Sequence, residues 1–321
     1  MKQPLEGKVA IVAGATRGTG RGIACELGAA GATVYCTGRS TRENRPAQRS
    51  KKAKPFDLAN RPETIEETAE MIAARGGKGI AVQVDHTIPE QVEQLFTRVE
   101  KEQGKLDILV NDVWGGDELT EWKPFKDCSL EKGLLMIERA VHSHIITAHY
   151  ALPLLIKNKR GLIVEITDGN HYGYRGMFYY DFVKTSVIRL AFMLATELKK
   201  HKISAVALSP GFIRSEAMLD YFGVTEANWR DAAKKRPEFI ESETPFYTGR
   251  AVVALATDPK IAKKSGRVFG TWDLGPEYDL TDVDGRRPEI MGWFKKNMPE
   301  WGDWKTCDDT FYQYWGVPPG T

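Results

Sequence analysis

Two residues four positions apart, Tyr180 and Lys184, form a pair suited to acid–base chemistry. They begin the segment YDFVKTSVIRLAFMLATEL, and residues at i and i+4 share one face of a helix. An ammonium group beside a phenol stabilises the phenolate and lowers the phenol pKa from about 10 toward neutral pH. Tyr180 is then usable as a general acid or base. Two unrelated helix residues at this spacing are the alternative, so the pair needs support from elsewhere in the chain.

A glycine-rich turn supplies that support. The apolar run Val9 to Ala13 is followed by three glycines at 14, 18 and 20 and then by a helical pattern. This order indicates a strand, a tight turn and a helix whose first N–H groups bind an anion. We therefore predict a dinucleotide pyrophosphate site here. The turn residues assigned to the cofactor are Gly14, Thr16, Arg17, Gly18, Thr19 and Gly20.

The end of the second strand indicates which dinucleotide. Thr33 to Thr37 is followed by Gly38, Arg39 and Ser40, with no carboxylate before Glu43. NAD sites carry an acidic residue here, whereas an arginine accommodates the 2′-phosphate of NADP. We predict that Arg17 and Arg39 meet at that phosphate, with Ser40 beside them. The alternative is a pair of solvated surface arginines.

The next segment, 39–63, is long and basic. It contains Arg42, Arg45, Arg49, Lys51, Lys52 and Lys54 against one acidic residue before Asp57. Connections of this length inside a domain are usually functional or mobile. Two interpretations are open, namely a rim that steers the anionic cofactor and a solvated basic loop.

Alternating strand and helix patterns place the polar residues at one edge. Strands are predicted at 79–84, 106–111, 162–167 and 203–208, with helices between them, and this alternation indicates a doubly wound parallel sheet. Such sheets bind ligands at the carboxyl ends of their strands. Gly14, Arg39, Asp85 and Asn111 all fall at such ends. A helix is predicted from about Pro62 to Arg75, and a single long helix from Leu130 to Lys157. Two short helices, SEAMLDYFG and TEANWRDAAKK, are predicted between Arg214 and Ile240.

Bulk composition excludes several classes. The 321 residues are 42% hydrophobic with a net charge of +2, so nothing indicates a nucleic-acid partner. No apolar run approaches the roughly 20 residues of a membrane span, and no secretory signal is present. The four cysteines form no CxxC pair, which favours reduced thiols and a cytoplasmic location. His142, His144 and His149 do not share one helix face, so no metal site is predicted.

Together these motifs resemble the short-chain dehydrogenase/reductase family over roughly residues 7–270. The resemblance implies one Rossmann-type sheet of about seven strands in the order 3-2-1-4-5-6-7, with helices on both faces. It implies a domain over 1–270 with a substrate lid at 212–240. The aromatic-rich extension at 271–321 is longer than the family fold requires, and we expect it to pack on the same domain or on a partner subunit. The resemblance also implies a homodimer or homotetramer.

The resemblance assigns further site residues. Tyr180 and Lys184 match the family's YxxxK motif, which supplies the catalytic pair and contacts the nicotinamide ribose. Its adenine-binding acid matches Asp85, with His86 beside it. The implied contacts along the cofactor also include Asn111, Pro210, Gly211, Ile213 and Ser215.

Three departures from the family pattern stand out. Trp114 replaces a small residue beside the cofactor. The asparagine that holds a relay water has no counterpart, since Ala140 aligns there with His142 close by. The active-site serine aligns with Asp168 or, one residue off, with Thr167.

The chemistry of Asp168 depends on its proton. An ionised carboxylate would repel a developing alkoxide and raise the Tyr180 pKa. A neutral carboxylic acid would donate a hydrogen bond to a substrate carbonyl. Alternatively Thr167 supplies the hydroxyl, and spacing does not decide between them.

The sequence therefore predicts an NADP(H)-dependent oxidoreductase acting on a small-molecule carbonyl or alcohol. Hydride transfer would be coupled to proton transfer by Tyr180, with Lys184 tuning it and Asp168 or Thr167 positioning the oxygen. Two alternatives are a weakly catalytic or inactive NADP(H)-binding sensor or scaffold and a lyase or epimerase that uses the same tyrosine. The substrate's identity does not follow from the sequence.

Overall fold

A computed structural model describes residues 3–50, 52–170 and 173–299. Within these ranges seven strands form one parallel sheet in the order β3-β2-β1-β4-β5-β6-β7, which confirms the predicted fold class. The strands are β1 Val9–Ala13, β2 Thr33–Gly38, β3 Lys78–Gln83, β4 Ile108–Asn111, β5 Gly161–Ile166, β6 Ile203–Ser209 and β7 Val268–Gly270.

Helices cover both faces of the sheet. They are α1 Gly18–Ala29, α2 Ile65–Ala74, α3 Pro89–Gln103, α4 Leu130–Ile137, α5 Ser143–Asn158, α6 Phe178–Leu198, α7 Glu216–Phe222, α8 Pro245–Thr257, α9 Thr271–Glu277 and α10 Ile290–Asn297. The central strands β1, β4 and β6 are buried along their whole length and are mostly apolar, because both faces of the sheet are covered. One core layer joins α1 and α8 to the sheet, and the other joins α3 and α5.

Several element boundaries differ from the prediction. The helix expected from about Pro62 begins at Ile65, because the Thr64 hydroxyl caps it by accepting from the Glu67 N–H. The helix expected from 130 to 157 is two α-helices separated by a π-helical turn at Glu138–His142. In the lid, α7 forms as expected, whereas Trp229–Lys234 is a 3₁₀ helix.

The first part of the extension packs against the same chain. α9 follows β7 directly, and the buried Asp282 accepts a hydrogen bond from the Thr244 N–H at 2.7 Å. Arg214 of the lid lies 3.6 Å from the same carboxylate. These contacts bring α10 back to the carboxyl edge of the sheet. Trp301, Trp304 and Trp315 of the predicted extension lie outside the described residues.

Candidate active site

A cavity of about 980 Å³ lies at the carboxyl edge of the sheet. It collects most of the residues that the sequence assigned to the site. Those lining it are Gly14, Thr16, Arg17, Gly18, Thr19, Arg39, Ser40, Asp85, His86, Thr167, Asp168, Tyr180, Lys184, Pro210, Gly211, Ile213 and Ser215. Asn111 and Gly20 are not among the lining residues.

The glycine turn forms a close-packed cradle. Gly14 has φ +92°, and a Cβ there would lie 2.4 Å from the Asp112 carbonyl oxygen. A Cβ at Gly20 would lie 2.4 Å from the Gly14 carbonyl oxygen, so this glycine packs the turn itself. The Gly18 N–H, at the start of α1, donates to the Glu216 carboxylate at 2.9 Å. The cradle therefore binds a protein carboxylate and has the donors that an anionic cofactor needs.

Each arginine of the predicted pair contacts a carboxylate in the structure. Arg17 donates through Nε to Glu63 at 3.1 Å, and Arg39 lies 3.6 Å from Asp85. Glu63 also accepts hydrogen bonds from Arg61, so Arg17 shares its carboxylate, whereas Arg39 faces Asp85 at the cavity wall. The Ser40 hydroxyl accepts a hydrogen bond from Arg45 Nε at 3.0 Å. Arg45, from the basic segment, is thus a third guanidinium near the end of β2.

Two of the predicted cofactor residues use their side chains to join elements of the fold. The His86 ring lies between the Thr37 and Thr147 hydroxyls, 2.8 Å from each, and burial lowers its pKa to about 3. The fully buried Asn111 donates to Glu165 at 2.8 Å, and its side chain does not reach the cavity. The physical reason is that each residue points into the core layer between the sheet and α5.

Tyr180, Asp168 and Arg175 form the central cluster of the site. The Tyr180 hydroxyl donates to Asp168 Oδ2 at 2.5 Å. Arg175 Nη1 donates to the same carboxylate oxygen, and its Nη2 donates to the Asp168 carbonyl at 2.6 Å. Asp168 follows β5 by two residues, Arg175 lies in the same loop and Tyr180 is in the first turn of α6.

The charges of this cluster follow from its contacts. Burial by itself would raise the pKa of Asp168, but Arg175 and the hydrogen bonds outweigh it and lower the pKa to about 2. Asp168 is therefore ionised at neutral pH, which disfavours the neutral-acid alternative. Burial, and then the Asp168 charge, raise the pKa of Tyr180 well above 10. The lowering of the Tyr180 pKa that was predicted from Lys184 is therefore outweighed by burial and by the Asp168 charge.

Lys184 lies against aromatic rings. Its Nζ is 4.1 Å from the centre of the Trp114 ring and 5.6 Å from the centre of the Tyr180 ring. Burial lowers the pKa of Lys184, and the carboxylates of Asp168 and Asp112 oppose this shift. Trp114, the unusual residue after β4, meets Tyr180 edge to face at 5.4 Å and forms one wall of the pocket.

The other two departures from the family pattern concern Thr167 and Ala140. The Thr167 hydroxyl donates to the backbone carbonyl of Lys184 at 2.7 Å, so it holds β5 to α6 and does not contact Tyr180. Ala140 lies in the π-helical turn and packs in an apolar cluster with Val183 and Tyr180. It offers no side-chain donor or acceptor for a relay water.

Apolar side chains form the far wall of the cavity. They come from the lid and from the extension, and they are Phe212, Met218, Trp272, Ile290, Met291 and Phe294. Ser215 caps α7, since its hydroxyl accepts from the Met218 N–H at 3.3 Å.

Sequence reasoning missed several residues of this site. Arg175 lies in a loop with no periodicity or motif, so no local signal marks it. Asp112 ends β4, and burial raises its pKa to about 7 although Lys184 opposes the shift. Its position at a strand end was a usable signal. Met291 and Phe294 reach the cavity only through the return of the extension.

Comparisons with known proteins show what this chain is similar to. The family model described as short chain dehydrogenase matches residues 50–222. The Mus musculus protein "Dehydrogenase/reductase SDR family member 1" is 34% identical over 319 residues, covering 93% of this chain and 95% of that protein. The Homo sapiens protein of the same name is 33% identical over 291 residues, covering 89% and 86%. A short-chain type dehydrogenase/reductase from Mycobacterium marinum has the same fold, with a TM-score of 0.65 at 24% identity over 84% of this chain and 96% of that chain.

The described ranges contain neither a candidate membrane-spanning helix nor a candidate metal-binding cluster. None of their helices combines the length and apolar character that crossing a bilayer requires. No three His, Cys, Asp or Glu side chains in the same ranges are grouped so as to hold a metal ion.

Proposed function

Because the chain belongs to the short-chain dehydrogenase/reductase family, we propose that it is an NADP(H)-dependent oxidoreductase that reduces a carbonyl compound. The residues at the carboxyl edge fit the cofactor. The Gly14–Gly18 cradle would hold the pyrophosphate, and the arginines after β1 and β2 would hold the adenosine phosphate. Tyr180 and Lys184 lie at the nicotinamide end. When bound, the cofactor supplies or accepts a hydride.

One observation carries the proposed direction, namely the hydrogen bond from the Tyr180 hydroxyl to an ionised Asp168 at 2.5 Å. This bond keeps the phenol protonated, because a phenolate would face a carboxylate of the same sign. A protonated tyrosine is the form that donates a proton. Because Tyr180 is protonated in the resting site, the site favours carbonyl reduction over alcohol oxidation.

In the proposed step, the substrate carbonyl oxygen replaces Asp168 as the acceptor of the Tyr180 hydrogen bond. The carbonyl carbon accepts the hydride as the C=O π bond breaks, and the oxygen takes the Tyr180 proton. Arg175 and Lys184 flank the ring, with the Arg175 Cζ 5.8 Å from its centre, and both stabilise the phenolate that remains. Asp168 stays paired with Arg175 throughout. A proton from solvent then restores the phenol.

The wall of apolar side chains supports a bulky uncharged substrate. Beside Tyr180, Arg175 is paired with Asp168, so its charge is not free for a substrate anion. We also propose that the protein is a cytoplasmic homodimer or homotetramer. Exposed apolar residues on α4, α5 and α6 support this assembly, and they are Leu130, Leu134, Ile145 and Phe182.

Removal of one hydroxyl tests the proposal. We expect Tyr180→Phe to lower kcat for NADPH-dependent ketone reduction at least about 100-fold, because positioned proton donors contribute 10²–10⁴-fold. NADPH affinity, measured by the quenching of protein fluorescence, should stay the same. The control is Tyr179→Phe, since Tyr179 packs on Gly133 and does not line the cavity.

An equal rate in Tyr180→Phe and wild type would contradict the role of Tyr180. Tight NADPH binding by the wild type with no turnover on a broad panel of aldehydes, ketones and alcohols would favour the sensor or scaffold alternative. Turnover without net oxidation of the cofactor would favour a lyase or epimerase.

A further inference from the structure

Arg45 of the basic segment lies beside Ser40, which lines the expected adenosine end of the site. Its guanidinium is fixed by three hydrogen bonds, from Nε to the Ser40 hydroxyl at 3.0 Å and from Nη1 to the carbonyls of Leu58 and Ala59 at 3.1 and 3.3 Å. These contacts hold the cation directly beside the end of β2. A cation fixed in advance loses little side-chain entropy when it binds a ligand.

Arg45 borders a cavity. A second cavity of about 450 Å³ is lined by Arg45 and shares Arg39, Leu58, Asp85 and Arg139 with the main one. Two carboxylates also line it, and both are neutralised by cations. Asp85 faces Arg39 at 3.6 Å, and Glu118 faces Arg139 at 3.4 Å.

Arg45 differs from the two arginines named by the sequence motifs. Arg17 is paired with Glu63 and Arg39 with Asp85. No carboxylate among the described residues lies within 4 Å of the Arg45 guanidinium. Burial and the nearby Arg39 both lower the pKa of Arg45. Arg45 is also one of the cations whose charge acts on Arg17. Arg45, bonded to Ser40 and near Arg39, thus adds a positive charge beside Ser40 that no carboxylate offsets, and this charge favours an anion.

We propose that Arg45 is a ligand of the 2′-phosphate of NADP(H) and makes the largest contribution of the three arginines to discrimination against NAD(H). Arg17 and Arg39 can reach the phosphate only by sharing their charge with Glu63 and Asp85. Arg45 has no such competitor, and its planar donors suit phosphate oxygens. This proposal rests on the NADP preference of the proposed function.

Binding of two small ligands tests it without a substrate. Isothermal titration calorimetry would compare 2′,5′-ADP with 5′-AMP, which lacks the 2′-phosphate. We expect Arg45→Met to weaken 2′,5′-ADP binding by about 10- to 100-fold, the range of a charge-assisted hydrogen bond, and to leave 5′-AMP binding unchanged. Arg45→Lys should recover part of the loss. The matched control is Arg42→Met, because Arg42 is exposed and pairs with Glu70 at 2.5 Å.

Each other outcome has a distinct meaning. A wild type that binds 2′,5′-ADP and 5′-AMP equally would contradict the NADP preference itself and with it the role of Arg45. A wild-type preference that survives in Arg45→Met would overturn the role of Arg45 and leave the proposed cofactor intact. An equal loss for both ligands would show that Arg45 only supports the loop, which also overturns the proposal.

Discussion

The two ends of the cavity are built on different principles. At the glycine turn, backbone groups and the lack of side chains make the site, as at Gly14, whose Cβ would overlap the Asp112 carbonyl. At the end of β5, three ionisable side chains determine one another's charge. A backbone site depends on residue type and order. A side-chain cluster depends on every charge nearby, so one unexpected neighbour such as Arg175 changes its chemistry.

The largest effect should come from Gly14→Ala at the backbone end. An alanine at φ +92° costs about 1–2 kcal/mol, and its Cβ would lie 2.4 Å from the Asp112 carbonyl oxygen. We expect NADPH affinity to fall about 100-fold and Tm to fall by several degrees, measured by titration and thermal melts. Gly76→Ala is the control, since its φ is +78° with nothing within 4 Å of the added Cβ. Equal losses of affinity in both variants would show that the cradle has no special role.

The charge cluster gives a second test, because two substitutions should act in opposite directions. Asp168→Ser removes the negative charge beside Tyr180 and should lower the Tyr180 pKa. Alcohol oxidation at pH 8 should then rise about tenfold, since one opposite or like charge moves a pKa by 1–3 units. Arg175→Met leaves Asp168 without its cation and should raise the Tyr180 pKa further. The pH profiles of kcat/KM in both directions measure these shifts.

The charge of Asp168 can also be tested through the pH dependence of protein stability. Its folded-state pKa of about 2 is below the ordinary value, so its contribution to stability is present at neutral pH and is lost as pH falls from about 4 toward 2. Arg175→Met should raise this pKa and move the loss to higher pH in acid-unfolding curves. Shifts of the kinetic profiles in the same direction in Asp168→Ser and Arg175→Met would contradict the charge argument.

The smallest effect is expected at the apolar wall. Met291 is 8% exposed and lines the cavity from α10. Met291→Ala should raise KM about tenfold for a bulky apolar ketone and have little effect on a small one, because a buried methionine contributes about 1.5–3 kcal/mol. Val283→Ala, in the same extension, is the control, since Val283 is 54% exposed. An unchanged KM for the bulky ketone would place the substrate elsewhere in the cavity.

The fold was predictable in most of its parts. The apolar strands and the glycine turn are local patterns, and parallel βαβ units leave few ways to connect them. The errors lie where a single side chain decides a boundary, as at Thr64, or where a helix changes its hydrogen-bonding pattern at Glu138–His142. The T-x-x-E spacing from Thr64 to Glu67 is a helix-start signal in the sequence, whereas the π-helical turn has no period that a sequence pattern can detect.

By itself, the sequence determined the sheet, its ligand-binding edge and the residue types at that edge, because these follow from periodicity and from glycine geometry. Only the tertiary structure decided the charge of Asp168, the partners of Arg17 and Arg39 and the return of Met291 to the cavity. Each of these depends on a contact whose distance and geometry no spacing rule specifies. Electrostatic and packing energies depend on distance in three dimensions, and that information exists only once the chain is folded.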